Sequence, residues 1–91
     1  MSDSSTIISL LADTIRRDDE IPLHRQIYDK LRDAVLSRRL PAGSRLPSTR
    51  SFAKGLDVSR NTVAAAFDQL IAEGYLVGKR GAGTFVEENI S

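Results

Sequence analysis

Arg45-Leu46-Pro47-Ser48-Thr49-Arg50-Ser51-Phe52-Ala53-Lys54-Gly55-Leu56-Asp57-Val58-Ser59-Arg60-Asn61-Thr62-Val63 reads as two short helices joined by a tight turn. Pro47 biases the residue before it away from helix. Ser48 then suits an N-cap, because its hydroxyl can accept from an N–H of the first turn. About eight helical residues follow, with Phe52, Ala53 and Leu56 on one face. Asp57-Val58 makes the turn and Ser59 caps the next helix. That helix opens on Ser59, Arg60, Asn61 and Thr62, four polar side chains in a row. A helix start offering a cation, an amide and two hydroxyls suits the edge of a DNA groove.

Working outward, Val63, Phe67 and Leu70 form the inner stripe of this helix, with Ala66 and Ile71 beside it. Gly74 ends it, since glycine takes the left-handed backbone that closes many helices. Tyr75–Lys79 predicts a strand, Arg80-Gly81-Ala82-Gly83 a turn, and Thr84–Glu87 the returning strand. A hairpin this small must lean on the helices. On the other side, Pro22 suits a first helical turn. Leu23, Ile27, Leu31, Ala34 and Val35 then draw one stripe to about Ser37, which Tyr28 flanks, and Leu40–Gly43 ends the helix. Ser44-Arg45-Leu46 is short and extended, with Leu46 inward. Ile7, Ile8, Leu11 and Ile15 predict a further helix over about Thr6 to Arg17, which either packs on the domain or awaits a partner. Asp18-Asp19-Glu20 interrupts it, and residues 1–5 are polar and expected to fray. The fold class is therefore mainly α with a small β-hairpin: a winged helix-turn-helix of three core helices and a two-stranded wing, plus an extra N-terminal helix. Its expected division is an extension at 1–20, the winged domain at 21–87, and the start of a linker at 88–91.

Ninety-one residues, 41% of them hydrophobic, make one small domain with a modest core. There is no cysteine, so disulfides and thiolate metal sites are excluded, and His24 alone cannot build a metal site. The longest apolar run, Ile7–Ala12, is too short to cross a bilayer, and no basic segment precedes it. A cytoplasmic protein is expected, with no membrane partner. Asp29 and Asp33 lie one turn apart, but Lys30 and Arg32 beside them make this an exposed charged helix rather than a catalytic pair. The glycines near 80 do not follow a strand and open a helix, as a nucleotide loop would. An enzyme is not expected.

The formal net charge is only +1, yet its distribution is polar. Residues 38–62 hold Arg38, Arg39, Arg45, Arg50, Lys54 and Arg60 against Asp57 alone, while the first twenty residues are acidic. One basic face is the footprint of a phosphate-binding surface. In the major groove Arg60 would meet guanine and Asn61 adenine, while Ser59 and Thr62 bond phosphates at the positive end of the helix dipole. Arg50 sits in the first turn of the preceding helix and reaches phosphate or base. Arg45 is a further phosphate candidate. Lys79 and Arg80 flank the hairpin tip, where Gly81 and Gly83 let the backbone approach sugar and phosphate. The rival reading keeps the same fold as a protein-interaction module without DNA.

These motifs resemble the GntR family of bacterial transcriptional regulators from about Pro22 to Val86. Pro22–Tyr28 resembles the opening helix, and Pro41–Arg50 the link into the second. Val58–Val63 is similar to the start of the recognition helix, and Ala72–Leu76 with Gly81–Val86 to the wing. Serine at 48, the Ser59-Arg60-Asn61-Thr62 run and Gly81–Val86 look most like the MocR/PdxR subgroup. The resemblance implies that Arg50, Arg60 and Thr62 touch a double-stranded operator, with Ser48, Ser59 and Asn61 beside them and Arg80-Gly81 at the wing tip. Since one domain presents one recognition helix, tight specific binding needs two copies, and a homodimer is expected in the full-length protein. Pyridoxal phosphate is implied only for a C-terminal effector domain that this sequence lacks; no lysine here is assigned to it. Two departures stand out. Asp57 replaces a glycine common in the family, tolerable because aspartate accepts a left-handed backbone. Gly55 inside a helix costs up to about 1 kcal/mol relative to alanine. Both imply a somewhat loose second helix.

Overall fold

The computed structural model describes residues 5–18 and 20–89. The polar residues 1–4, Asp19 of the acidic break, and residues 90–91 of the expected linker lie outside the described residues. The elements in chain order are α1 (Ser5–Ala12), α2 (Leu23–Leu36), α3 (Thr49–Leu56), α4 (Arg60–Ala72), β1 (Leu76–Lys79) and β2 (Gly83–Val86).

The stripes read from spacing become one core. Ile27, Leu31, Ala34 and Val35 of α2, Phe52, Ala53 and Leu56 of α3, and Val63, Ala66, Phe67 and Leu70 of α4 are all buried in a single cluster. Leu46, Leu76 and Val86 close it from the wing side. Phe52 and Phe67 meet edge to face at its centre, with ring centroids 5.5 Å apart. Leu23 is only half-buried, and Ile71, beside the stripe as expected, is 39% exposed next to Gly78. Ile71 lies just past the buried arc of the 3.6-residue repeat, and its Cδ1 would touch a Cβ placed on Gly78 of the wing.

Local chemistry sets the helix ends. Ser48 Oγ accepts from Ser51 N–H at 3.1 Å, and Ser59 Oγ from Thr62 N–H at 3.1 Å, so both serines are N-caps. Helix α2 has no side-chain cap; Pro22 leads into it. It closes through Arg38, which holds φ 68°, while Leu40 N–H reaches back to the Ala34 carbonyl at 3.1 Å. Gly74, at φ 85°, closes α4 in the same way, with Tyr75 N–H on the Leu70 carbonyl. Asp57 takes the left-handed conformation, φ 55° and ψ 51°, that its substitution for glycine demands.

The wing is broader than two strands. β1 and β2 pair antiparallel from Leu76 opposite Val86 to Lys79 opposite Gly83, around a three-residue turn at 80–82. The strands are therefore shifted from the expected 75–79 and 84–87. Leu46 N–H bonds the Thr84 carbonyl, Val86 N–H the Ser44 carbonyl, and Arg45 bridges Phe85. The extended segment before α3 is thus a third rung on β2. Backbone donors of an exposed strand need partners, and a neighbouring extended segment supplies them.

The N-terminal helix packs on the domain. It stops at Ala12 rather than near Arg17; Asp13, Thr14 and Ile15 N–H still bond back to Ser9 and Leu11, and beyond them the chain is tied elsewhere. The Gln26 side chain accepts from Arg16 N–H at 2.7 Å and donates to the Arg16 and Ile21 carbonyls at 2.8 Å each. This buried amide holds the backbone of Arg16 out of helix. Ile7 and Leu11 are buried in the common core. Gly55, far from loosening α3, marks where α1 presses in: a Cβ there would collide with Ile8 Cγ2. Gly55→Ala gains about 1 kcal/mol of helix propensity but forces a stiff β-branched side chain aside, which costs about 1–3 kcal/mol. The variant is expected to melt below the wild type, and Ile8→Ala to recover most of that loss in the double variant. Thermal melts followed by circular dichroism check both; a Gly55→Ala protein more stable than wild type refutes the close contact.

Candidate nucleic-acid interface

Two helix starts and a hairpin tip carry the site residues outward. Ser48 and Arg50 lie at the start of α3, and Ser59, Arg60, Asn61 and Thr62 at the start of α4. All are exposed except Thr62, which is half-buried. α3 packs on α4, so the two starts belong to one rigid unit. Among the described residues, Arg50, Arg60 and Arg80 have no side-chain hydrogen bond or ion pair. A guanidinium carries five donors and no acceptor, so an unpaired one on a rigid helix start is ready for phosphate or guanine.

The first turn of α4 is partly preorganised. Ser59 Oγ and Thr62 Oγ1 lie 2.8 Å apart, and Ser59 Oγ also accepts from Thr62 N–H. If Thr62 donates in the hydroxyl pair, both acceptor positions of Ser59 are filled and its own O–H is free to donate outward. Capping and phosphate contact are then compatible roles for one hydroxyl. Arg60 and Asn61, flanking no such bond, face solvent.

On the wing the structure groups residues that the sequence kept apart. Arg45, a phosphate candidate in an extended segment, sits on the third rung, opposite Phe85. A Cβ on Gly83 would come within 2.9 Å of Arg45 Nε, so the glycine leaves room for this guanidinium to lie against the wing backbone. Gly83 has φ 115°, a conformation that L side chains rarely adopt. Lys79 Nζ lies 4.9 Å from the Phe85 ring centroid, a cation–π contact. Arg45, Lys79 and Phe85 therefore share the outer face of the wing, because residues opposite one another across a ladder point to the same side. Phe85 went unnoticed as a functional neighbour. The alternation Val77, Lys79 against Phe85 was the available signal. Arg80 and Gly81 form the exposed tip, with Gly81 at φ 79°. The structure does not link the wing cations to Arg50 or Arg60 by any described contact.

Away from this surface, the Tyr28 hydroxyl donates to the Glu73 carboxylate, which also accepts from Gln69 at 3.3 Å. The Tyr28 bond holds Glu73 below the usual carboxylate range, and the same bond raises Tyr28 above an ordinary phenol. Arg32 bonds the Tyr75 hydroxyl at 3.3 Å. These pairs tie α2 to the end of α4 and are structural. The described residues contain no cluster of His, Asp or Glu fit to hold a metal ion, and no helix long and apolar enough to cross a membrane.

Three core helices, capped recognition-helix residues facing outward and a glycine-tipped hairpin define a winged helix-turn-helix, a DNA-binding class of domain. Residues 23–86 match the model of bacterial regulatory proteins of the gntR family. The chain belongs to this family and is its DNA-binding domain. It is similar to a probable rhizopine catabolism regulatory protein MocR of Rhizobium meliloti, 53% identical over 70 residues that cover 77% of this chain and 14% of that protein. Among solved structures it resembles YtrA from Sulfolobus acidocaldarius, a GntR-family transcription factor, with a TM-score of 0.79, 28% identity, and coverage of 85% and 81% of the two chains. The fold also recurs in AraR(DBD), solved in complex with operator ORR3, with a TM-score of 0.70 at 22% identity over 79% of this chain and 87% of that one.

Proposed function

We propose that this chain reads an operator by placing the start of α4 in the major groove, with the wing at the adjacent minor groove. The observation that carries the reading is the pair of exposed, capped helix starts bearing unpaired Arg50 and Arg60. Arg60 and Asn61 meet base edges. Ser48, Ser59, Thr62 and Arg50 bind phosphates, and Arg45, Lys79, Arg80 and Gly81 follow the backbone beside the wing. A protein of the same fold, AraR(DBD), is solved in complex with an operator, which supports operator binding by a domain of this shape. Small residues Ala64 and Ala65 behind the first turn allow close approach but read little, so specificity concentrates in Arg60 and Asn61.

One domain presents one recognition helix. We infer that the full-length protein is a homodimer, whose two helices meet half-sites one helical turn apart. The chain spans 14% of the length of its MocR-like relative. A separate effector domain beyond residue 88, holding pyridoxal phosphate, is the corresponding proposal for the whole protein. The residues present here do not fit that cofactor: Lys30, Lys54 and Lys79 are all exposed, whereas a Schiff-base lysine is activated by desolvation. The relatives are transcriptional regulators, and the chain's role is binding rather than catalysis in a cytoplasmic setting.

Selection of duplexes from a random pool, followed by titration at several salt concentrations, tests the reading. A protein neutralising several phosphates loses affinity steeply with salt. Arg50→Ala is expected to weaken binding to all sequences, and Lys79→Ala to make the salt slope shallower by about one unit. A chain that enriches no sequence and shows no salt dependence is the protein-interaction module instead.

A further inference from the structure

The family match begins at residue 23, yet the residues before it are built into the helix-turn-helix. Three independent contacts show this. Ile7 and Leu11 are buried in the core, and Ile8 fills the notch left by Gly55 on α3. The Gln26 amide fastens the backbone of Arg16. The Arg17 guanidinium then donates to the Leu56 carbonyl at 2.7 Å and to the Asp57 carbonyl at 2.5 Å, with the Asp57 carboxylate 4.0 Å away. Those two carbonyls lie at the C-terminal end of α3 and in the turn that leads to Ser59 and Arg60.

The ends of helices leave carbonyls without intrahelical partners, and a cation there meets the negative end of the dipole. Backbone bonds already occupy the Ala53 and Lys54 carbonyls, through Val58 and Asp57 N–H. Arg17 supplies the partner for the Leu56 carbonyl of the last turn and for the Asp57 carbonyl just beyond it. It also clamps a turn built on a left-handed aspartate, the point of the motif where a non-glycine backbone is least at ease. We propose that residues 5–17 are a strap that sets the relative placement of α3 and α4, and that Arg17 is a positioning residue for operator binding. It acts through the turn and does not touch DNA. The strap extends the DNA-reading unit beyond the family motif, and the proposal rests on the DNA-binding reading above.

The test uses Arg17→Ala in the full chain, a duplex selected from a random pool by the wild type, and a temperature at which circular dichroism shows each variant folded. Affinity is expected to fall about five- to twenty-fold with an unchanged salt slope, and amide exchange at 57–61 to accelerate. Ile8→Ala, which loosens the strap at its other anchor, is expected to show the same signature. A slope shallower by about one unit makes Arg17 a phosphate ligand and overturns the proposal. So does a folded Arg17→Ala protein that binds within twofold of wild type, the result a merely stabilising residue would give. Should the wild type select no duplex, the DNA-binding reading fails, and amide exchange still decides whether Arg17 holds the turn.

Discussion

Arg60→Ala is expected to abolish sequence-specific binding while the fold and melting temperature stay at wild-type values. Arg60 is the first residue of α4, exposed, and bonded to no described side chain, so its truncation removes no packing. Its loss on DNA is large for the same reason. A bidentate arginine–guanine pair is worth about 1–3 kcal/mol of discrimination. Two copies on two half-sites double that, and the affinity that persists is the salt-dependent, sequence-blind part. Asn61→Ala should cost less, because it leaves the cation at the groove. Competition binding with a selected duplex against bulk DNA measures the difference. Wild-type selectivity in Arg60→Ala would remove this residue from the account.

Phe52→Ala is expected to have the largest effect on stability. Phe52 is fully buried and stacks edge to face on Phe67, joining α3 to α4 at the centre of the core. Truncating a buried phenylalanine costs about 3–5 kcal/mol, from lost transfer energy and the cavity left behind. A domain of this size holds about 5–14 kcal/mol in all. At about 4–8 °C per kcal/mol, the melting temperature should fall by more than about 12 °C. Phe52→Leu, which keeps most of the volume, should lose much less. A shift below about 5 °C for the alanine variant would show that neighbouring side chains collapse into the space, and that the two helices are held by something else.

The contrast between these variants reflects the division of labour in the chain. Phe52, Phe67 and the stripes of α2 and α4 were readable because apolar spacing of three and four residues has one interpretation in a segment of that length. The serine caps were readable because capping is local chemistry, complete within four residues. The outward position of Arg60 and Asn61 followed from the cap and the stripe together. What escaped the sequence was long-range. Arg17 meets carbonyls some forty residues away. Gln26 carries no local signal beyond a polar residue on a helix, yet its amide is buried and holds the backbone of Arg16. Gly55 read as a helix defect because the partner that needs its missing side chain, Ile8, comes from another helix. Arg45 read as part of a short extended segment, but nothing local showed that this segment pairs with the wing. Pairing across the wing depends on where the chain returns after forty residues, and no local pattern encodes that return.

The central claim is that the guanidinium of Arg60 reads a guanine in the major groove. Replacing guanines one at a time by 7-deazaguanine in a selected duplex tests it directly, because the change deletes the major-groove N7 acceptor and leaves base pairing intact. One guanine in each half-site is predicted to cost the wild type about tenfold in affinity and to cost Arg60→Ala nothing. Equal losses in both proteins, or no loss at any guanine, would contradict the claim.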